Sequence, residues 1–214
     1  MEEAALLNLW KAYDKKLETS LAFNRKNAED LTKIKIRSLL GSMKPSKTIA
    51  ILIGLLWVGA VDFLIVNLYP VATPFFLISA GIQVLLTKMA IGVYLYQLIL
   101  IHRTDITAPI LETQNKLARL KASTLWVTRL LFLQLPVWTT FYWSKSMLEN
   151  GSAILYMTQI LITLSLTYLA VWFFLNIKYE NREKKWFRLI LGGAEWDPVM
   201  KSFDLLNQIE EYKQ

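Results

Sequence analysis

Cysteine is absent from the 214-residue chain, and histidine occurs once, at His102. Without cysteine there can be no disulfide, no thiolate metal site and no cysteine nucleophile. A single histidine without companion ligands is more often an interfacial residue than a metal ligand or a catalytic base. The sequence also lacks a phosphate-binding glycine loop, a Gly-x-Ser-x-Gly motif and the spacing of a His/carboxylate metal site. We therefore expect no catalytic residue, no metal ion, no cofactor and no enzymatic activity.

Charged residues are scarce in four apolar stretches, which contain three charges in total: residues 48–68, 75–101, 124–144 and 154–177. Apolar runs of about 20 residues are long enough for a helix that crosses a lipid bilayer. The sequence therefore predicts an all-α fold, an integral membrane four-helix bundle in which these stretches are the spans. The segments outside the bundle, residues 1–47 and 178–214, are predicted to form amphipathic terminal helices.

Lys and Arg are almost missing from two of the connections between these spans, which together contain only Lys145. Residues 1–47, 102–122 and 178–214 contain the other 21 Lys and Arg that lie outside the spans. Basic residues remain on the cytoplasmic side of a membrane, so both termini and the 102–122 loop are predicted to be cytoplasmic. These bases adjoin the bilayer and form no face interleaved with aromatic side chains, so nucleic acid is not expected as a partner.

The first two spans each contain one charge near the middle, Asp62 and Lys88. Each charge lies 13 or 14 residues from the cytoplasmic end of its span, or about 20 Å at 1.5 Å per residue. The two side chains therefore share a depth and are predicted to form an ion pair. Gly59, Gly81 and Gly92 lie near them and allow helices to approach closely. The pair is interpreted as a lock that fixes the hairpin, and the alternative is a proton or ion site.

Polar side chains also occur in the last two spans, at Gln134, Gln159, Thr163 and Thr167. The three residues of the fourth span are spaced at i, i+4 and i+8, so they share one helix face. We expect this stripe to form hydrogen bonds between helices, and a hydrophilic pathway is the alternative. In the third span Pro136 should kink the helix, because proline removes a backbone hydrogen bond.

Residues 3–40 contain no glycine or proline, which predicts a long N-terminal helix. Its apolar residues recur at helical spacing and form a stripe: Leu6, Trp10, Tyr13, Leu17 and Leu21. The stripe can bind a protein partner or pack on the chain's own cytoplasmic helices, and the second interpretation is favoured because an exposed stripe invites aggregation. Val199, Phe203, Leu206 and Ile209 form an apolar face on a last helix, which is a natural mate for the first.

The start Asn8-Leu9-Trp10-Lys11, the long N-terminal helix and the four spans with charged inner ends carry a resemblance. In this layout the chain resembles small, uncharacterised four-span membrane proteins of Bacteroidota, some of them encoded near alternative sigma factors. The resemblance covers the whole layout and implies a membrane-anchored regulatory or scaffolding role. It assigns no role to any individual residue.

Two functions follow from these features. In the first, the chain is a non-enzymatic membrane anchor whose cytoplasmic helices bind a protein partner or a second copy of the chain. In the second, it is a subunit of a small transporter or of an ion or proton channel that uses Asp62 and Lys88. The lipid bilayer is a partner in both.

Overall fold

A computed structural model describes residues 2–103, 110–193 and 195–211. Within these ranges all regular secondary structure is helical, with no β-strand. The helices are α1 (Glu2–Gly41), α2 (Lys44–Leu68), α3 (Pro74–His102), α4 (Ile110–Phe132), α5 (Leu135–Thr140), α6 (Lys145–Asn150), α7 (Ala153–Asn176), α8 (Lys185–Leu191) and α9 (Asp197–Glu211), with a 3₁₀ turn at Tyr179–Asn181. The all-α prediction is confirmed.

Three helical stretches are long and apolar enough to cross a membrane: Leu6–Leu68, Pro74–His102 and Ala153–Asn176. The first contains α1 and α2, joined by a tight turn, and its apolar residues are concentrated in α2. These stretches include three of the four predicted spans.

The α2–α3 hairpin is built by apolar side chains that face each other along both helices. They are Ile51, Val58 and Val61 of α2 and Ala80, Val84 and Ile91 of α3. Gly54 lets the two backbones approach, because a Cβ at that position would lie 3.1 Å from the Ile91 side chain. Thr73 caps the start of α3 by accepting a hydrogen bond from the Phe76 amide at 3.2 Å, and Pro74 occupies the first turn, where its missing N–H has no cost.

The third predicted span is not one continuous helix. α4 ends at Phe132, and after a turn the chain resumes as α5, which has Pro136 in its first turn. The expected kink is therefore a full break, because Pro136 cannot donate a backbone hydrogen bond to continue α4 and proline is stable at a helix start. Beyond the break α5 packs on α3 and α7, and α4 packs on α3 through Leu130 and Val127 against Ala90.

α7 ends at Asn176, and the charged segment after it does not continue this helix but begins with the 3₁₀ turn at Tyr179–Asn181. Two side chains bind the carbonyls at this end: Asn181 Nδ2 donates to Asn176 O at 2.6 Å, and Arg129 Nε donates to Ile177 O at 2.7 Å. Such bonds satisfy carbonyl groups that lose their helical partners where a helix stops. The following residues fold back over α4, where Phe187 is fully buried.

The two terminal helices pack together at the end of the hairpin opposite the α2–α3 turn, as the sequence predicts. The shared cluster contains Ile36, Leu40, Met43, Ile101, Leu117, Leu120, Val199 and Leu206. Phe203 packs at its edge, and the side chain of Ile209 lies outside the described residues. The cluster joins the last two turns of α1 to α9, α4 and the end of α3.

Candidate functional site

The N-terminal half of α1 has an exposed apolar face. Leu6, Trp10, Tyr13, Leu17 and Leu21 are 61%, 71%, 66%, 59% and 59% exposed, and every side chain from residue 6 to residue 28 is exposed. The expectation that this stripe packs on the chain's own cytoplasmic helices is therefore wrong. We call these five residues the α1 face.

Burial in α1 begins only near its C-terminal end. Ile36 and Leu40 are 1% and 2% exposed, and Met43, in the turn that follows, is fully buried. Ile36 and Leu40 lie about a third of a turn around the helix from the α1 face, at 100° per residue. The α1 face is therefore not the side that packs against α9.

The hairpin brings Asp62 and Lys88 together, with Lys88 Nζ 3.2 Å from Asp62 Oδ2. The two side chains are 45% and 55% exposed, so the pair lies on the outer surface of the hairpin. Outside the glycine's own stretch of helix, no atom that the structure describes lies within 4 Å of a Cβ placed on Gly59, Gly81 or Gly92. The glycines beside the pair thus leave its surroundings open.

Three of the four predicted polar residues connect helices. Gln134 Nε2 donates to Thr87 Oγ1 at 3.2 Å, Gln159 Nε2 donates to Thr139 O at 2.6 Å, and Thr163 Oγ1 donates to Thr139 Oγ1 at 3.0 Å. Thr167 is exposed, and its hydroxyl donates to the carbonyl of Thr163 on its own helix at 2.7 Å. The stripe therefore joins α7 to α5 but ends before Thr167.

A buried polar cluster that sequence reasoning missed surrounds Lys47, whose side chain is 0% exposed. Lys47 Nζ donates to Gln97 Oε1 at 2.5 Å, lies 3.9 Å from Glu195 Oε2 and lies 5.0 Å from the centre of the Tyr94 ring. The Tyr94 hydroxyl in turn lies 3.5 Å from Glu195 Oε2. We call these four residues the Lys47 cluster.

The Lys47 cluster connects four parts of the chain. Gln97 Nε2 donates to Ser123 Oγ at 3.0 Å and to Thr124 Oγ1 at 3.4 Å, so α2, α3, α4 and the segment before α9 meet at this point. Lys47 was hard to recognise as a buried residue from the sequence, because it looks like the last basic residue before a membrane span. Gln97 was the better signal, since an amide within an apolar run needs a partner.

Gln83 is a second buried amide, in the middle of α3. Its side chain is 1% exposed, and neither its Nε2 nor its Oε1 has a hydrogen-bond partner among the residues that the structure describes. One turn before it, the Ser79 and Thr140 hydroxyls are 2.7 Å apart; one turn after it, Thr87 accepts the bond from Gln134. Gln83 therefore faces the broken α4–α5 crossing between two bonded neighbours.

A cavity of about 380 Å³ opens beside the Lys47 cluster, where Tyr94 and Glu195 meet Thr128, Phe132 and Leu191. Among the residues that the structure describes, no three His, Asp or Glu side chains gather where they could hold a metal ion. Comparisons with protein-family models, with curated proteins and with solved structures find no match to this chain.

Proposed function

We propose that this chain is an integral membrane protein that crosses a bacterial inner membrane four times, through α2, α3, the α4–α5 pair and α7. Its termini and the 102–122 loop are cytoplasmic, as the 21-to-1 division of Lys and Arg favours. In this proposal the protein is a non-enzymatic anchor that presents the α1 face to a cytoplasmic protein. The role is regulatory or scaffolding.

The contrast in exposure along α1 carries this proposal. An amphipathic helix normally buries its apolar stripe, and exposed apolar surface of this kind marks interaction sites. The α1 face contains a Trp and a Tyr, which are enriched where binding energy is concentrated. Its positions at i, i+4, i+7, i+11 and i+15 fit an apolar groove or a second helix.

The C-terminal end of α1 is held in place by packing, which explains how the α1 face can remain exposed to a partner. The hydrophobic cluster around Leu40 and the Lys47 cluster hold the end of α1 and the start of α2 against α3, α4 and α9. The 23 exposed residues from 6 to 28 then extend for about 35 Å at 1.5 Å per residue. A helix fixed at one end in this way reaches beyond the headgroup layer, which is the arrangement that an anchor for a cytoplasmic protein needs.

The test uses the full-length protein in membranes of its own host. A photo-crosslinking amino acid at position 20, beside the face, should capture a cytoplasmic protein in a chain that is otherwise native. Trp10→Ala with Leu17→Ala should reduce the captured band at least tenfold, because both side chains belong to the α1 face. Phe23→Ala is the matched control, since Phe23 is equally exposed, at 64%, but lies on another side of α1. Equal capture from all three chains would contradict the proposal.

A second candidate function, a small transporter or channel subunit, is favoured by Gln83. An amide buried without partners costs about 1–3 kcal/mol, and broken helices beside polar groups occur at transport sites. The Asp62–Lys88 pair supports this function less well, because it faces outward from the hairpin.

Gln83→Leu separates the two roles. If Gln83 lines a pathway, this substitution should abolish proton or monovalent-cation flux in proteoliposomes, while Gln83→Asn retains part of it. If flux is absent in the native chain and Gln83→Leu only raises the melting temperature, the transport function is excluded.

A further inference from the structure

The Asp62–Lys88 pair is only half satisfied within one copy of the chain. Each side chain has one charged partner, and about half of each is open to the surroundings. Charged side chains within membrane-spanning segments almost always face the bundle interior or pair with other groups. In the proposed membrane insertion, on which this inference rests, the open half would contact hydrocarbon.

The residues on the same side of the hairpin as the pair follow the spacing of a helix-packing face. In α2 they are Leu55, Gly59, Asp62 and Val66, at intervals of four, three and four; in α3 they are Gly81, Leu85, Lys88, Gly92 and Leu95, at intervals of four, three, four and three. Asp62 is half-buried, and the other eight are exposed. This alternation of three and four residues is the pattern by which helices pack side by side. We call these nine residues the pair face.

The glycines of the pair face differ from Gly54. A Cβ added at Gly54 would lie tightly against the Ile91 side chain, at 3.1 Å, whereas a Cβ added at Gly59, Gly81 or Gly92 would meet no described atom within 4 Å outside its own stretch of helix. Glycine inside a helix lowers its stability relative to alanine by about 1 kcal/mol. Between membrane helices small residues let another backbone come close.

The charges of Asp62 and Lys88 determine which helix can pack against the pair face. A two-fold axis along the membrane normal places the pair face of one copy against that of another. This rotation sets α2 of each copy opposite α3 of the other copy. Asp62 of each copy then lies opposite Lys88 of the other, at the same depth, so one ion pair becomes a ring of four alternating charges. A self-complementary surface of this kind is what a two-fold dimer requires. We propose that the chain forms a two-fold dimer in the membrane through the pair face.

Exchange of the charges tests this directly. Lys88→Asp gives a chain with two acids on the pair face, and Asp62→Lys gives a chain with two bases. Each variant alone should form at least ten times less dimer than the native chain, measured by co-purification of two differently tagged copies in nanodiscs. Expressed together, the two variants should form a mixed dimer at the native level, because every contact across the interface is then attractive. A mixed dimer no more abundant than either variant's own dimer would overturn the proposal.

A second measurement retains the native charges, which matters if neither variant accumulates. Because the chain has no cysteine, a single Val66→Cys substitution places one thiol on the pair face, and Leu64→Cys places one at nearly the same depth about 200° around α2. Both side chains are exposed, at 74% and 44%. A short bifunctional maleimide should join two Val66→Cys chains at least five times more than two Leu64→Cys chains.

Equal crosslinking at the two positions, or crosslinking of Val66→Cys to a different protein, would overturn the dimer. The result is separable from the proposed anchoring function. A chain that remains single but still captures a cytoplasmic protein through the α1 face would contradict the dimer alone.

Discussion

The two ends of α1 belong to one helix but have opposite surroundings. From residue 6 to residue 28 every side chain is exposed, whereas Ile36 and Leu40 are almost fully buried. The difference lies in the neighbours, because α9 and α4 pack only beside the last turns of α1. An isolated helix is only marginally stable in water, so the N-terminal half gains the most if another protein covers it.

Two lysines repeat this contrast within the hairpin. Lys47 is fully buried and meets Gln97, Glu195 and Tyr94, all from the same chain. Lys88 is 55% exposed, and within the described part of the chain its one charged partner is Asp62. The charge of Lys47, at the end of the hairpin opposite the α2–α3 turn, is therefore surrounded by groups of the same chain. The charges of Asp62 and Lys88, in the middle of the hairpin, remain open to the surroundings on one side.

The largest effect is expected at the buried end of α1. Leu40→Ala should lower the free energy of unfolding by about 2–5 kcal/mol, because it leaves a cavity in a packed cluster. The same change at Leu17, on the α1 face, should alter it by no more than about 0.5 kcal/mol. Thermal unfolding of both variants in one detergent gives the comparison, and similar losses would mean that the two halves of α1 do not differ as described.

Removal of the buried lysine should have the next largest effect. Lys47→Met leaves Gln97 Oε1 without its donor and should cost about 1–3 kcal/mol of stability. Lys47→Met combined with Gln97→Leu should cost less than the sum of the two single changes, because partners in contact show coupling of about 0.5–3 kcal/mol. Denaturation of all four chains measures this coupling, and strict additivity would show that the bond contributes nothing.

A smaller effect is expected along α7. Thr163→Val removes the bond to Thr139 and should cost about 0.6 kcal/mol, a typical value for a hydrogen bond between membrane helices. Thr167→Val should have no measurable effect, because that hydroxyl bonds only to its own helix. Equal melting temperatures for the two variants would argue against the α5–α7 contact.

The smallest effect is expected at a fully exposed ion pair. Hydrogen bonds from Arg188 and Arg182 hold the pKa of Glu183 below its ordinary value. Because this pKa is lower in the folded chain, the stabilisation is present above the unfolded pKa and is lost as the pH falls through the folded one. Glu183→Gln should remove a slight acid-dependent fall in melting temperature, visible only at low salt since exposed pairs are screened. A larger slope in the variant would contradict this sign.

Local patterns in the sequence predicted the features that depend on neighbours along the chain. Apolar runs predicted α2, α3 and α7, and the shared depth of Asp62 and Lys88 placed them where the hairpin brings them together. The apolar stripe of α1 could be recognised in the sequence, but its exposure could not. That exposure depends on how far along α1 the packing against α9 extends.

The features that were missed depend on contacts between distant residues. Lys47 and Gln97 are 50 positions apart, and their bond depends on how the hairpin places α2 beside α3. The end of α7 likewise depends on Arg129, which is 48 residues from the carbonyl that it binds. The sequence showed that Pro136 would disrupt the helix of the third predicted span. Whether it kinks this helix or divides it into two depends on how α5 packs against α3 and α7.

Hydrogen exchange along α1 shows whether its N-terminal half is uncovered in the free protein and covered by a partner. We expect fast exchange of the amides of residues 6–28 in the purified protein in nanodiscs, protection of residues 33–43 with and without the captured partner, and new protection of residues 6–28 when the partner is bound. If residues 6–28 are already as protected as residues 33–43 in the purified protein, the α1 face is covered by the chain itself or by a second copy, and the anchoring account is contradicted.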